Sequence, residues 1–319
     1  MEKHDEIFIR RLKEIIMIDL HIHTNYSGGK NNLIEILKIA EKRKVSIISI
    51  TDNNTCEGYE ELKRIPISEY YSGKIIPGCE FSTIVNNVPI ELIGYNINTD
   101  LAQKNISKLY LSRRDYNIYE TNLIIEKCIQ RGLVIDVKNI IYDADREKGK
   151  KAVFEEIKRH MENRKFISEE AWNNARTFFL TYTSNPNSDF FVDFSGLIPE
   201  CKQVVHLIKE CGGKVFMPHI FKYNENSMRV LKTLVSKNML DGIEGYYPYY
   251  SKEQNQFALK FAEKNKLYIS GGSDSHGTPD SEIGIGRANL NISEKIINPW
   301  FDEKRIIVQG GLDLDYEER

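Results

Sequence analysis

The chain has 319 residues with a net charge of −2, and 41% of them are hydrophobic and 28% charged. That length accommodates one large α/β domain, or a domain carrying a sizeable insertion. The charge balance gives no argument for nucleic acid or an anionic membrane as the partner of the whole chain, while a local basic patch stays open. Five cysteines, none in a CxxC pair, argue against a disulfide framework or a zinc knuckle and favour a reducing compartment.

The first stretch, "MEKHDEIFIRRLKEIIMID", is broken by charges and reads as an N-terminal extension over 1–16, not a signal peptide. No run approaches the roughly 20 apolar residues of a membrane helix. A cytoplasmic protein without a membrane partner is therefore expected. From Met17 to Ile22 apolar and polar residues alternate, as in a strand with Asp19, His21 and His23 on one side. "NNLIEILKIAEKRK" follows as an amphipathic helix capped by Asn31 or Asn32. "VSIISIT" (45–51) is a continuous apolar strand of the kind buried in a parallel sheet. A short charged helix near 57–64 leads to the strands "KIIPGCEF" and "VPIELIGYNI" (88–97).

Residues 101–197 change rhythm to a mainly helical pattern, closing in a turn-rich linker at 183–196, and read as an insertion. Strand–helix alternation then resumes through "KVFMPHI", "DGIEGYY" and "LYISGGSDSHG", each separated by an amphipathic helix. Such βα repetition argues for a parallel barrel or a doubly wound sheet. The expected layout is a discontinuous domain over 17–100 and 198–300, the insertion, and a tail over 301–319.

Polar residues collect where the strands end: His21 and His23, Asp52 and Asn53, Glu80, His219, Glu244, then Asp274 and His276. In a (β/α) barrel such ends surround one pocket. Each feature has a bland counterpart. An HxH pair can be core packing, His219 a satisfied core histidine, and the GSDSHG turn a capping device. Together they describe a site for borderline divalent ions such as zinc, manganese or iron. A carboxylate shared between two ions about 3.5–4 Å apart would let the site clamp a phosphate.

The pieces "DLHIHTNYSGG", "ISITDNNT", "IIPGCEFS", "VFMPHI", "DGIEGYYPYYS" and "ISGGSDSHG", in this order, resemble the polymerase-and-histidinol-phosphatase (PHP) family of metal-dependent phosphoesterases. The resemblance implies a distorted (β/α)7 barrel with a helical insertion and up to three divalent ions (Mn, Zn or Fe). It implies a first metal group of His21, His23, Glu80 and Asp274. Glu80 would bridge to a second group with His219 and Glu91, where the family usually has a histidine in place of Glu91. The third group departs further: Gly28 and Asn53 stand at ligand positions, and His276 alone remains. His276 or Asp52 are the candidate proton carriers. Lys222 and Arg287 are candidate phosphate holders, weighed against ordinary surface charge. The expected substrate is a phosphorylated small molecule or nucleotide, or the end of a short single-stranded nucleic acid. Tyr110, Tyr116 and Tyr119 in the insertion are read as helix packing first and as base-stacking residues second. Histidinol phosphate is the alternative substrate, and a non-catalytic metal- or phosphate-binding module the alternative class.

Overall fold

A computed structural model describes residues 17–279, 281–284 and 292–307. The expected extension at 1–16, the candidate Arg287 and most of the expected tail lie outside the described residues. The chain divides into two compact units, one of residues 1–106 with 199–319 and one of 107–198.

The eight strands among the described residues all lie in the first unit. β1 (Met17–Ile22), β2 (Val45–Ile50) and β3 (Lys74–Ile75) form a parallel sheet in sequence order. β4 (Gly78–Val85), β5 (Val88–Tyr95), β6 (Lys214–Met217), β7 (Gly242–Tyr246) and β8 (Tyr268–Gly271) form the second. Isolated parallel bridges connect Ile22 with Ser275 and Asn53 with Glu80, so both ends of the second sheet reach the first.

Two expectations are corrected. "KIIPGCEF" is not one strand: Pro77 has no N–H to give a ladder, and the chain leaves the first sheet after Ile75 and enters the second at Gly78. The second sheet is not wholly parallel, because β4 pairs antiparallel with β5, and β5 with β6. Only Asn86 and Asn87 separate β4 from β5, too few for a crossover helix. Both take positive φ, 49° and 63°, the left-handed pair that a two-residue hairpin turn demands and that asparagine tolerates.

Helices follow local rules. α1 (Leu33–Lys42) starts at Asn32, whose side chain accepts from Glu35 N at 2.9 Å while Glu35 accepts from Asn32 N at 2.9 Å. It buries Leu33, Ile36, Leu37 and Ala40, one face at helical spacing. α2 is Glu57–Leu62, and α3 is Thr99–Leu109, within which the division between units falls. The second unit has α4 (Arg113–Gln130), α5 (Lys150–Arg159), α6 (Glu169–Asn173) and α7 (Ala175–Phe178) around its own core, in which Ile124, Phe154, Ile157, Trp172 and Phe178 are buried. Back in the first unit, α8 (Cys201–Glu210), α9 (Ser227–Ser236), α10 (Lys252–Asn265) and α11 (Glu294–Ile297) follow. Among the described residues no helix is long and apolar enough to cross a membrane.

Candidate metal centre

β1 delivers His21, and His23 follows directly after it. Both rings are buried, and their Nε2 atoms lie 3.1 Å apart. Glu80 enters from the start of β4, not from a strand end as expected, because β4 begins only at Gly78. Its Oε1 is 3.5 Å from His21 Nε2 and 3.1 Å from His219 Nε2; its Oε2 is 3.5 Å from His23 Nε2. Asp274 Oδ1 lies 3.4 Å from His21 Nε2 and 3.2 Å from His23 Nε2. Glu91, on β5, brings Oε2 to 3.3 Å from His219 Nε2. Seven of the sequence candidates thus meet around one centre when His276 is added, its ring stacked on His23 at 4.3 Å.

Backbone conformation aims two of these side chains. His219 and Asp274 stand just past β6 and β8 with φ of 31° and 52°. Non-glycine residues are uncommon there, and such strain persists where the surroundings fix it. Close approach matters too: a Cβ on Gly272 would lie 2.3 Å from the backbone N of His21, so only glycine lets the β8 turn pass against β1.

The hydrogen-bond partners fix which ring nitrogen faces inward. His21 Nδ1 lies 3.1 Å from Glu244 Oε1, a carboxylate that only accepts, so Nδ1 carries the hydrogen. His23 Nδ1 meets Ser27 Oγ at 3.2 Å, and that hydroxyl donates to Asp52 at 2.5 Å, so it accepts from the ring. His219 Nδ1 faces the Tyr223 hydroxyl at 3.3 Å. The Nε2 atoms of His21 and His23 are left to present their lone pairs to the centre. Two such nitrogens 3.1 Å apart, among three carboxylates, require a proton or a metal ion between them. Donors bound to one ion at 2.0–2.1 Å in tetrahedral array are roughly 3.3 Å apart, which matches these separations. Two trios bring their ligand atoms within 4.8 Å of one another: His21, Glu80 and His219, and His21, His23 and Asp274. The residues therefore fit divalent ions.

Electrostatics agree with the geometry. Burial works against a charged His21, but Asp274, Glu80 and Glu244 outweigh it and push the imidazole well above its ordinary value. Burial would raise Glu80, yet His21, His219 and His23 hold its carboxyl well below the usual range. Asp274 is likewise depressed, with burial overcome chiefly by His21 and His23. Burial and the neighbouring His23 lower His276.

Other candidates take supporting places. Asp52 is buried and accepts from Thr24 N and Thr24 Oγ1, both at 2.7 Å, besides Ser27. Asn53 does not stand at a vacant ligand position: its amide donates to Glu80 Oε2 at 2.6 Å. Lys222 Nζ is 3.1 Å from Glu91 Oε2. Gly28 has φ of 109° and no atom within 4 Å of where a Cβ would sit. Sequence reasoning placed Glu244 at a strand end without a role; it orients His21 and also accepts from His219 N at 2.6 Å. Tyr223 and Tyr247 were missed. Tyr247 donates to Asp274 Oδ2 at 2.8 Å. A tyrosine hydroxyl carries no ligand signature, and only the "EGYYPYY" aromatic run hinted at Tyr247.

No protein-family profile matches the chain. It is 35% identical over 96 residues to the uncharacterized protein MJ1587 of Methanocaldococcus jannaschii, covering 27% of this chain and 53% of that protein. It is 22% identical to a phosphoribosyl 1,2-cyclic phosphate 1,2-diphosphodiesterase of Eggerthella lenta, over 81% of this chain and 94% of that one. It is 24% identical to the 5′-3′ exoribonuclease Rnm of Escherichia coli, over 85% and 89%. Over most of its length the chain is thus similar to two phosphate-ester hydrolases, each under 25% identical to it. In fold the chain is similar to a candidate metal-dependent phosphoesterase from Bifidobacterium adolescentis, with a TM-score of 0.62 at 19% identity over 90% of this chain and 97% of that one. It is also similar to an amidohydrolase from Chromobacterium violaceum with bound sulfate, with a TM-score of 0.66 at 18% identity over 92% and 98%. The mixed α/β architecture is common to all three.

Proposed function

We propose that this phosphoesterase hydrolyses nucleotide phosphate esters, either free nucleotides or the end of a short oligonucleotide. The observation that carries the reading is the convergence of three inward-facing Nε2 atoms on the shared carboxylate of Glu80. The two matched hydrolases act, by their names, on a phosphoribosyl cyclic phosphate and on RNA, which supports the nucleotide class. We also read the two bridged sheets as a distorted (β/α)7 barrel that carries residues 101–197 as a helical insertion.

His21, His23, Glu80 and Asp274 would hold one divalent ion, and Glu80, His219 and Glu91 a second; manganese, zinc and iron suit this donor mixture. When bound, the ions bring the pKa of a coordinated water toward 7 and offset charge on the phosphoryl oxygens. His276 serves the leaving group. Its Nδ1 donates to the Asp274 carbonyl at 3.0 Å, which leaves the Nε2 lone pair for a proton. Asp52 acts through Ser27 by fixing the His23 ring, and not as a proton carrier. Lys222 lies beside Glu91 and lines the adjoining pocket, where its ammonium can hold a phosphoryl oxygen. Five buried free cysteines suit a reducing, cytoplasmic setting.

The test is turnover by the manganese-loaded full chain of a generic phosphodiester, a nucleoside monophosphate, a 5′-phosphorylated oligonucleotide and histidinol phosphate. Preference for the nucleotides is expected. Preference for histidinol phosphate would replace the substrate class. Tight metal binding without turnover would indicate a binding module, the reading that Gly28 and Asn53 favour.

A further inference from the structure

The donors of the first group are steadied by neighbours: His21 by Glu244, His23 by Ser27 and Glu80 by the Asn53 amide. Those three donors are buried. Asp274 differs, because its side chain is 13% exposed and lines a cavity of about 490 Å³, room for many waters at about 30 Å³ each. Its backbone is set at φ of 52°, but the carboxylate torsion of an aspartate is broad and roughly two-fold. The backbone therefore does not choose which oxygen faces the imidazoles. Water on the cavity side would leave that choice open.

The structure assigns Tyr247 as the positioning residue of Asp274: its hydroxyl holds Oδ2 on the cavity side, so that Oδ1 is turned to His21 and His23. This role rests on the reading of the donor groups as a metal centre and names the residue that orients the accessible ligand of the first group. The Tyr247 hydroxyl is 2.8 Å from Oδ2, while Oδ1 is 3.4 Å from His21 Nε2 and 3.2 Å from His23 Nε2. A carboxylate only accepts, so the hydroxyl donates. The local sequence makes this tyrosine rigid. Pro248 follows it, and the residue before a proline is driven to extended backbone. Proline also presets the second position of a turn, which Tyr250 N closes by donating to Tyr247 O at 3.0 Å. The ring is then packed edge-on against His219 at 5.5 Å and against Tyr250 at 5.2 Å. A hydroxyl on a ring so fixed holds Oδ2 without the immobilisation entropy that an ordered water would lose. With Oδ1 engaged, Asp274 gives one donor atom, which completes a tetrahedral set with His21, His23 and Glu80.

The experiment equilibrates the manganese-loaded full chain and its Tyr247→Phe and Tyr250→Phe variants across graded free manganese, and reads bound metal by elemental analysis. Tyr247→Phe keeps the ring and removes the hydroxyl, so its circular-dichroism spectrum should be unchanged. One of its two binding phases should move to roughly 10- to 100-fold higher manganese, the usual effect of losing an outer partner of a ligand. The other phase should stay, since Glu80, His219 and Glu91 do not include Asp274. Tyr250→Phe removes a hydroxyl that faces the Glu244 carbonyl at 3.4 Å, and both of its phases should match the unmodified chain. Turnover of a generic phosphodiester by Tyr247→Phe should fall at limiting manganese and return at saturating manganese. Unshifted phases in Tyr247→Phe would overturn the positioning role and leave the metal centre standing. So would lost turnover that saturating manganese does not restore, which would place the hydroxyl on the substrate instead. Failure of the unmodified chain to retain manganese would overturn the metal-centre reading and this role with it.

Discussion

Replacing Glu80 by glutamine should do more damage than replacing Glu91 by glutamine, and the distances say why. Glu80 presents Oε1 to His21 and His219 at 3.5 and 3.1 Å and Oε2 to His23 at 3.5 Å, so it belongs to both donor groups. Among the imidazoles of the described residues Glu91 touches only His219, at 3.3 Å. Without the Glu91 carboxylate, the first group keeps four donors and the second keeps Glu80 and His219. Without the Glu80 carboxylate, the first keeps His21, His23 and Asp274, and the second keeps only His219 and Glu91. Three donors still make a metal site, and two protein donors hold an ion weakly. Glu91→Gln should thus retain one firmly held ion. Glu80→Gln should retain one ion bound at least roughly 100-fold more weakly, since losing even an outer partner of a ligand costs 10- to 100-fold. The assay is elemental analysis after dialysis against metal-free buffer, manganese titration calorimetry, and turnover of a generic phosphodiester. Equal metal content and equal turnover in the two variants would refute the bridging assignment.

Glu244→Gln should lower metal affinity by roughly 10- to 100-fold without unfolding the chain, because the carboxylate that fixes the His21 tautomer becomes a neutral amide; calorimetry beside a thermal melt checks it. Gly242→Ala should destabilise by about 1–3 kcal/mol, since the added Cβ would lie 2.1 Å from the Phe216 ring, and a denaturant midpoint measures it. The buried thiols should be silent toward a thiol reagent at pH 8 and react on unfolding. Burial pushes Cys128 and Cys201 up to about 12. Those two groups contribute stability that is whole below their ordinary value of 9.0 and is lost as pH rises toward about 12, so denaturation midpoints should fall across that window.

Much of the centre was legible because ligand chemistry is carried by residue type and strand period. His21 and His23 share a side of β1 by alternation alone, and the strand-end recurrence of His219, Asp274 and His276 survives in the fold. Topology was less legible. An antiparallel pair and a parallel one have the same apolar pattern, and the difference lay in two asparagines between β4 and β5. Supporting contacts were least legible. Asn53 meets Glu80 and Tyr247 meets Asp274 across 27 residues each, so no local spacing announces them.

The third metal group shows what that blindness costs. Sequence comparison with the PHP pattern marks Gly28 and Asn53 as missing ligands, and the natural remedy is Gly28→Asp with Asn53→His. The structure gives the two positions different characters. At Gly28 there is room for a side chain, but φ of 109° is left-handed backbone that an aspartate enters only with about 1–3 kcal/mol of strain. At Asn53 the amide holds Glu80 Oε2 at 2.6 Å, so a histidine removes the donor that positions the shared carboxylate. Asn53→His alone should therefore loosen the existing ions before it adds one. The double variant should gain about one ion, at the cost of a melting midpoint lowered by a few degrees. The unmodified chain should hold two ions firmly, because His276 offers the third group one nitrogen and has its Nδ1 tied to the Asp274 carbonyl. Elemental analysis of all three proteins after dialysis decides the matter. Three tightly held ions per unmodified chain would show that Asn53 is a ligand and not the anchor of Glu80.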